Sequence, residues 1–349
     1  MQNYQNNFIG VDVSKESFDA TLMTEKDQKK SEPLSGKFEN SKEGLKTFRS
    51  WLKAKKVEFN DQTLLVMENT GIYHRAIQFF CTTEAIPFHI GNAAHMKWSF
   101  GIARGKNDKI DSLRICKYAY KEAEELASTP KFEAILFELR DLMTLRRKLI
   151  DQKNSLQVQL KELRGVNQKS VQKELESCCS KTMNSFEVSV KKTESKIKEK
   201  IKSNEQVNKN FKLLISIPGI GEWTAIMLIV CTSNFIFEPS GKQLACYAGV
   251  APFEHTSGTS VKGKTKVHKM GNKELKANLY MCALSTLQNY EEFKTYYDRK
   301  ISEGKQHNMV MNAIMNKLLL RAASVVKKGE SYVDNYSVLK KKIKEEMLG

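Results

Sequence analysis

No run of apolar residues in this 349-residue chain approaches the roughly 18 needed to cross a bilayer, which predicts a protein that lives in water. The opening residues, MQNYQNNFIG, lack both the basic start and the apolar stretch of a secretory signal, so the cytoplasm is the expected location. CxxC pairs are missing as well. The seven cysteines (Cys81, Cys116, Cys178, Cys179, Cys231, Cys246 and Cys282) are odd in number and have no matching histidine spacing, which argues for reduced thiols over a disulfide framework or a zinc site. Acidic residues are in short supply: 40 Asp and Glu face 57 Lys and Arg, a formal charge of +17 that suits an anionic polymer, above all nucleic acid.

What is present is enough apolar material, 40% of residues, for two domains and a connector. In the first part, residues 1–128, short apolar runs predict hairpin strands over 8–13 and 18–23, a third strand over 37–39, and further strands over 64–67 and 87–90. Helical spacing appears over 41–53, 72–83 and 108–126, so the expected fold is an α/β layer with a mixed sheet. Residues 129–211 read as entirely helical. Ile135, Leu139, Leu142, Leu149, Leu156, Leu160 and Leu163 follow alternating spacings of three and four, a coiled-coil seam that Arg146 and Lys153 interrupt. A break over 165–168 allows a second, weaker helix to fold back on the first or on another subunit, which makes this connector a candidate oligomerisation arm. Residues 212–349 are mostly helical, and IPGIG over 217–221 resembles a helix-hairpin-helix turn, whose backbone amides can approach a phosphate.

Four acids stand out. Asp12, in IGVDVSK, sits in an otherwise apolar strand where a lone carboxylate is costly, so it needs a partner or a cation. Glu68 ends the strand of LLVMENTG in the same way. Asp108 and Asp111, in GKNDKIDSLR, are three apart and share one face of the predicted helix. Like charges so gathered repel unless a hard divalent ion such as Mg²⁺ or Mn²⁺ lies between them, and such ions can activate an attacking oxygen and stabilise a leaving one in phosphodiester chemistry.

IGVDVSK, VMENTGIYH and GKNDKIDSLRI resemble the three blocks of the DEDD transposases, the insertion-sequence recombinase family that includes the pilin-gene DNA invertase. The match takes in Thr70, Gly71 and Tyr73 after the glutamate and Lys106, Asn107 and Lys109 around Asp108. The resemblance implies an RNase-H-like first domain, similar to the Holliday-junction resolvase RuvC, with Asp12, Glu68, Asp108 and Asp111 as its catalytic and metal-binding residues.

From His255 to Lys276 the chain carries six lysines against one acid, Glu274, and reads as a loop suited to lying on phosphates. Lys262, Lys264, Lys266, Lys269, Asn272 and Lys276, with Lys106 and Lys109 further back, are the nucleic-acid-binding candidates. Ser257, followed by Gly258, is a candidate nucleophile that His255 or a lysine could assist, although Thr256, Thr259 and Ser260 stand equally near. IPGIGEWTA, KQLACYAGVAP, the SG pair and KMGNKELKANL are similar to the C-terminal domain of the same transposases, and that likeness selects Ser257 as the residue that forms a phosphoserine link to DNA. Where relatives place arginines after the GN turn this chain has Lys276, a point charge in place of a bidentate fork. The resemblance further implies a structured guide (bridge) RNA, DNA donor and target partners, a homo-oligomer, and a composite site in which carboxylates of another subunit assist the serine. The rival expectations are a metal-dependent junction resolvase or nuclease with no covalent intermediate, and a non-catalytic nucleic-acid-binding scaffold.

Overall fold

The computed structural model describes residues 7–26, 29–69, 71–91, 96, 99, 108–126, 133–257, 261–267 and 271–334. The chain divides into two compact units, Met1–Lys131 and Phe132–Gly349. The first is an α/β unit and the second is predominantly helical.

The first unit is built on a mixed sheet. Strand β1 (Asn7–Val13) pairs antiparallel with β2 (Ser17–Lys26), and β2 carries both β3 (Lys29–Lys30) and β4 (Leu34–Glu39) on its far side. On the other side of β1 lie β5 (Thr63–Glu68) and β6 (Phe88–Gly91), both parallel to it, giving the order β3-β2-β1-β5-β6. The third strand is longer than the expected 37–39, because Leu34, Ser35 and Gly36 register with Leu22, Thr21 and Ala20. Both faces of the central strands are covered, so β1 and β5 read as nearly unbroken apolar runs. Ile9, Val11, Val13, Leu65 and Met67 point toward α1 (Lys42–Ala54) and α2 (Arg75–Thr83), joining Phe48, Leu52, Ile77 and Phe80. Ser41 caps α1 by accepting the Gly44 N–H at 3.1 Å. The helix predicted from residue 72 begins at Arg75, since Gly71 has a φ of 66° and residues 71–74 form a turn.

Phe8, Leu64 and Val66 point the other way, against α3 (Asp108–Lys121), where they meet Ile115, Cys116, Tyr118 and Ala119. The crossing is close. A Cβ built on Gly10 would stand 2.1 Å from the Cys116 nitrogen and 2.4 Å from the Ser112 carbonyl oxygen, so only glycine lets α3 lie directly on β1.

In the second unit α4 (Ala134–Arg164) and α5 (Lys169–Ser203) form an antiparallel hairpin that turns over residues 165–168. Arg146 meets Glu194 at 2.8 Å, Lys153 meets Glu187 at 2.7 Å and Arg164 meets Glu176 at 2.6 Å, so each step forward on α4 matches an equal step back on α5. Beyond α5 come α6 (Glu205–Ile215), α7 (Glu222–Cys231), α8 (Gly241–Tyr247), a ribbon of β7 (Pro252–Ser257) and β8 (Val261–Val267), then α9 (Lys273–Asn289), α10 (Glu291–Ser302) and α11 (His307–Lys328). One core unites the helices, and Leu136, Leu139, Ile197 and Ile201 at the base of the hairpin enter it. By length and composition α11 is the single helix among the described residues that could cross a membrane, but its Val310, Ile314, Leu318 and Leu319 are core residues. The basic stretch expected to be a loop is in part this β-ribbon, with a register shift between Phe253 and His255. All seven cysteines are free thiols.

Candidate active site

The register of the sheet brings two of the predicted acids together. Val11 pairs with Met67, so one residue further on Asp12, the last but one of β1, and Glu68, the last of β5, lie on neighbouring parallel strands that run about 4.8 Å apart. Alternation puts both on the face of Phe8, Gly10, Leu64 and Val66, the face that α3 covers. Cys116 donates its thiol proton to the Phe8 carbonyl at 3.1 Å, and the Ser112 and Thr21 hydroxyls are 2.8 Å apart, with Thr21 paired to Gly10. Passing from Cys116 to Ser112 therefore follows β1 from Phe8 toward Asp12, and Asp111 with the start of α3 lies at the carboxylate end of the sheet.

Electrostatics agree with this placement. Burial pushes the Glu68 carboxyl up from its ordinary range, and the Asp111 charge pushes it further in the same direction. Asp111 is held by Arg114 at 2.8 Å on its own helix. A half-buried carboxyl close to a second carboxylate is a donor set that suits a hard divalent cation. Among the described side chains, no three His, Cys, Asp and Glu groups converge closely enough to hold an ion. The backbone of Asp108 opens α3 and Lys109 follows it, but their side chains, like all of Lys106 and Asn107, lie outside the described residues.

Two residues at this end were not anticipated from the sequence. Asp19 sits opposite Asp12 on β2 and is paired 3.9 Å from Lys37 on β4, which adds a fifth acid to the same sheet end. Asn40, just after β4, donates from its amide to the Ser14 carbonyl and the Tyr73 carbonyl, both at 3.0 Å. It thus ties the turn after Asp12 to the turn after Glu68, and its own buried Oδ1 has no hydrogen-bond partner among the described residues. The register of β2 is the only sequence signal for the first. The second, an Asn just ahead of a helix cap, resembles any turn residue.

In the second unit, Ser257 is the last residue of β7 and pairs with Val261, while Lys262, Lys264 and Lys266 occupy alternate positions of β8. The side chains of these four residues and all of Lys269 lie outside the described residues. Two other candidates hold local structure. Asn272 caps α9 by accepting the Leu275 N–H at 3.0 Å and donates to the Tyr247 hydroxyl at 3.1 Å. Lys276 donates to the Gly249 carbonyl at 2.9 Å, pinning the turn after α8. Tyr247, which the sequence did not single out, is pushed up to about 12 chiefly by burial and next by the Cys231 thiol, so it stays a neutral phenol. Gly219, φ 83°, makes the IPGIG turn, and a Cβ there would strike Thr286 of α9 at 2.1 Å.

Comparison with known proteins covers both units. Residues 9–164 match the DEDD transposase family of IS110, and residues 211–298 match the transposase IS116/IS110/IS902 family. The pilin gene-inverting proteins of Moraxella lacunata and Moraxella bovis are each 27% identical over 332 residues, 93% of this chain and 97% of their own length. A 43.6 kDa protein of insertion element IS110 from Streptomyces coelicolor is 31% identical over 120 residues, 34% of this chain and 29% of its own.

Proposed function

The chain belongs to the IS110 family of insertion-sequence transposases, enzymes that recombine DNA, and on that premise we propose that it uses a carboxylate-held divalent ion together with a serine nucleophile. The observation that carries the first half is the meeting of Asp12 and Glu68 on the sheet face that α3 covers, with the Glu68 carboxyl raised in part by Asp111. Asp12, Glu68, Asp108 and Asp111 would hold the ion. When bound, Mg²⁺ or Mn²⁺ supplies polarisation of a phosphoryl oxygen and stabilisation of the leaving oxygen. The sheet order, with an antiparallel β2 and parallel β5 and β6 flanking β1, supports an RNase-H-like reading of this unit.

Ser257 supplies the second half. Its Oγ forms a bond to phosphorus as the bond to the leaving nucleoside oxygen breaks; the hydroxyl proton passes to a neighbouring base, and the leaving oxygen takes up a proton in turn. Its position at the end of a ribbon strand, beside a strand with lysines at alternate positions, supports this role, because the lysines neutralise phosphates on either side of the reacting one. The excess of basic charge leaves capacity for a guide RNA in addition to DNA, and the resemblance to the DEDD recombinases is what supports that partner. Exposed Leu145, Val158, Val166, Val171 and Val188 along the α4–α5 hairpin support self-association.

The test incubates the purified protein with DNA from its own locus, its co-purified RNA and Mg²⁺, and searches for a serine-linked DNA peptide by mass spectrometry. The wild type should yield an adduct at Ser257 and Ser257→Ala none. An adduct at Ser260, or cleaved ends with no protein attached, overturns the assignment.

A further inference from the structure

The segment joining α7 to α8 has an unusual backbone. Ser233, Asn234 and Phe235 all have positive φ, 51°, 58° and 61°, and Glu238 follows at 44°. Residues with a Cβ ordinarily visit this region one at a time, so three in succession persist only where the surroundings dictate them. Here they do. Phe235 is buried in the core, and the Asn210 amide of α6 donates to the Asn234 carbonyl at 3.2 Å and to its Oδ1 at 2.9 Å. Ser240 and Gln243 then close a capping box that starts α8. The outcome is a fixed turn that holds two successive large apolar side chains outward, Ile236 at 53% and Phe237 at 60% exposure.

Beside this turn lies a cavity of about 390 Å³, lined in part by Gln206, Lys209, Asn210, Ile236 and Lys327, with Glu133 and Glu238 also on its wall. Its size falls within the range of roughly 300–1,000 Å³ typical of small-ligand sites. An apolar pair alone would suit a protein partner, but amides and carboxylates that can pair with the edge of a base, beside two lysines that can meet phosphates, suit a nucleotide with its flat ring, hydrogen-bonding edge and flanking charges.

We propose that the 233–239 turn and its cavity form a site for an unpaired DNA base. Ile236 and Phe237 fill the gap the base leaves in the stack, the cavity receives the base with Gln206 and Asn210 at its edge, and Lys209 and Lys327 meet the phosphates on either side. Exchange of strands between two duplexes passes through unpaired bases, so a DNA-recombining enzyme has use for such a site. The site is independent of the serine and the carboxylates, and its test is arranged to be so.

Full-length protein in EDTA is titrated with a fluorescein-labelled duplex of sequence unrelated to its locus, fully paired or carrying a three-base bubble. The wild type should bind the bubble about 10-fold more tightly, and Ile236→Ser/Phe237→Ser should lose that preference while keeping the affinity for paired DNA and an unchanged melting temperature. Lys209→Gln/Lys327→Gln, made separately, should weaken the bubble complex severalfold and flatten its salt dependence. A preference that survives the serine pair overturns the proposal. So does a preference shown only by a bubble of ribonucleotides, or a fall in oligomer mass by sedimentation that accounts for the serine pair's effect.

Discussion

Glu68 is the residue at which the carboxylate argument becomes measurable without DNA. Its folded carboxyl titrates above the unfolded value because of burial and Asp111, so the fold is favoured while Glu68 is protonated, and that advantage is lost as pH rises from the ordinary carboxylate range through the raised folded value. In metal-free buffer at neutral pH, Glu68→Gln should therefore melt at a higher temperature than the wild type, and the difference should vanish below the ordinary carboxylate range. Differential scanning calorimetry across pH 3–8, roughly the span over which carboxylates and their raised values titrate, checks this. A lower melting temperature for the Gln variant at neutral pH would show that Glu68 is stabilised there rather than strained. Asp12→Asn should keep the melting temperature and abolish recombination. Gly10 makes the opposite statement: Gly10→Ala inserts a methyl group against the Cys116 and Ser112 backbone and should cost about 1–3 kcal/mol in urea unfolding, because α3 must lift off the sheet. Since α3 carries Asp111, recombination should fall with it.

Among the elements, the α4–α5 hairpin separates what holds the fold from what is left over. Its base is anchored by core residues and by the Arg146 guanidinium lying 3.7 Å over the Trp223 ring, while farther out the pairing depends on solvent-screened ion pairs such as Lys153–Glu187, which contribute little. Replacing Val158, Val166 and Val188 by Ser should leave stability within about 0.5 kcal/mol per site, yet reduce the oligomer mass in sedimentation if the hairpin is the association arm. Much at this scale was legible beforehand. Strands β1 and β5 announced themselves because both their faces are covered, apolar residues at helical spacing over 41–53 marked α1, and the break over 165–168 placed the hairpin turn. The ribbon did not, because lysines at alternate positions separated by Gly263 and Thr265 lack the apolar half of the usual strand pattern. The left-handed turn over 233–235 was equally hidden, since no glycine marks it and its cause, the amide of Asn210, lies more than twenty residues away in sequence.

At the scale of the whole molecule, three of the four acids named from the sequence fall on neighbouring elements, Asp12 and Glu68 on adjacent strands and Asp111 on the helix that covers their face. It did not foresee Asp19 and Asn40, which reach the same sheet end through pairings that span β2 and β4. The charge of +17 predicts binding to nucleic acid that weakens steeply with salt. Changing Lys262, Lys264 and Lys266 together to Ala should reduce the slope of log K against log salt by about 2–3, roughly one per lost phosphate contact, with little change in sequence preference. An unchanged slope would place the DNA elsewhere.

The account stands or falls on a divalent ion at the carboxylate end of the sheet, and Fe²⁺-driven hydroxyl-radical cleavage of the protein reads that place directly. With Fe²⁺ in place of Mg²⁺, ascorbate and peroxide should cut the chain next to Asp12, Glu68 and the Asp108–Asp111 turn, and excess Mg²⁺ or Asp12→Asn should suppress all three cuts together. Cuts confined to other segments, or cuts at these three that persist in the Asp12→Asn protein, would contradict it.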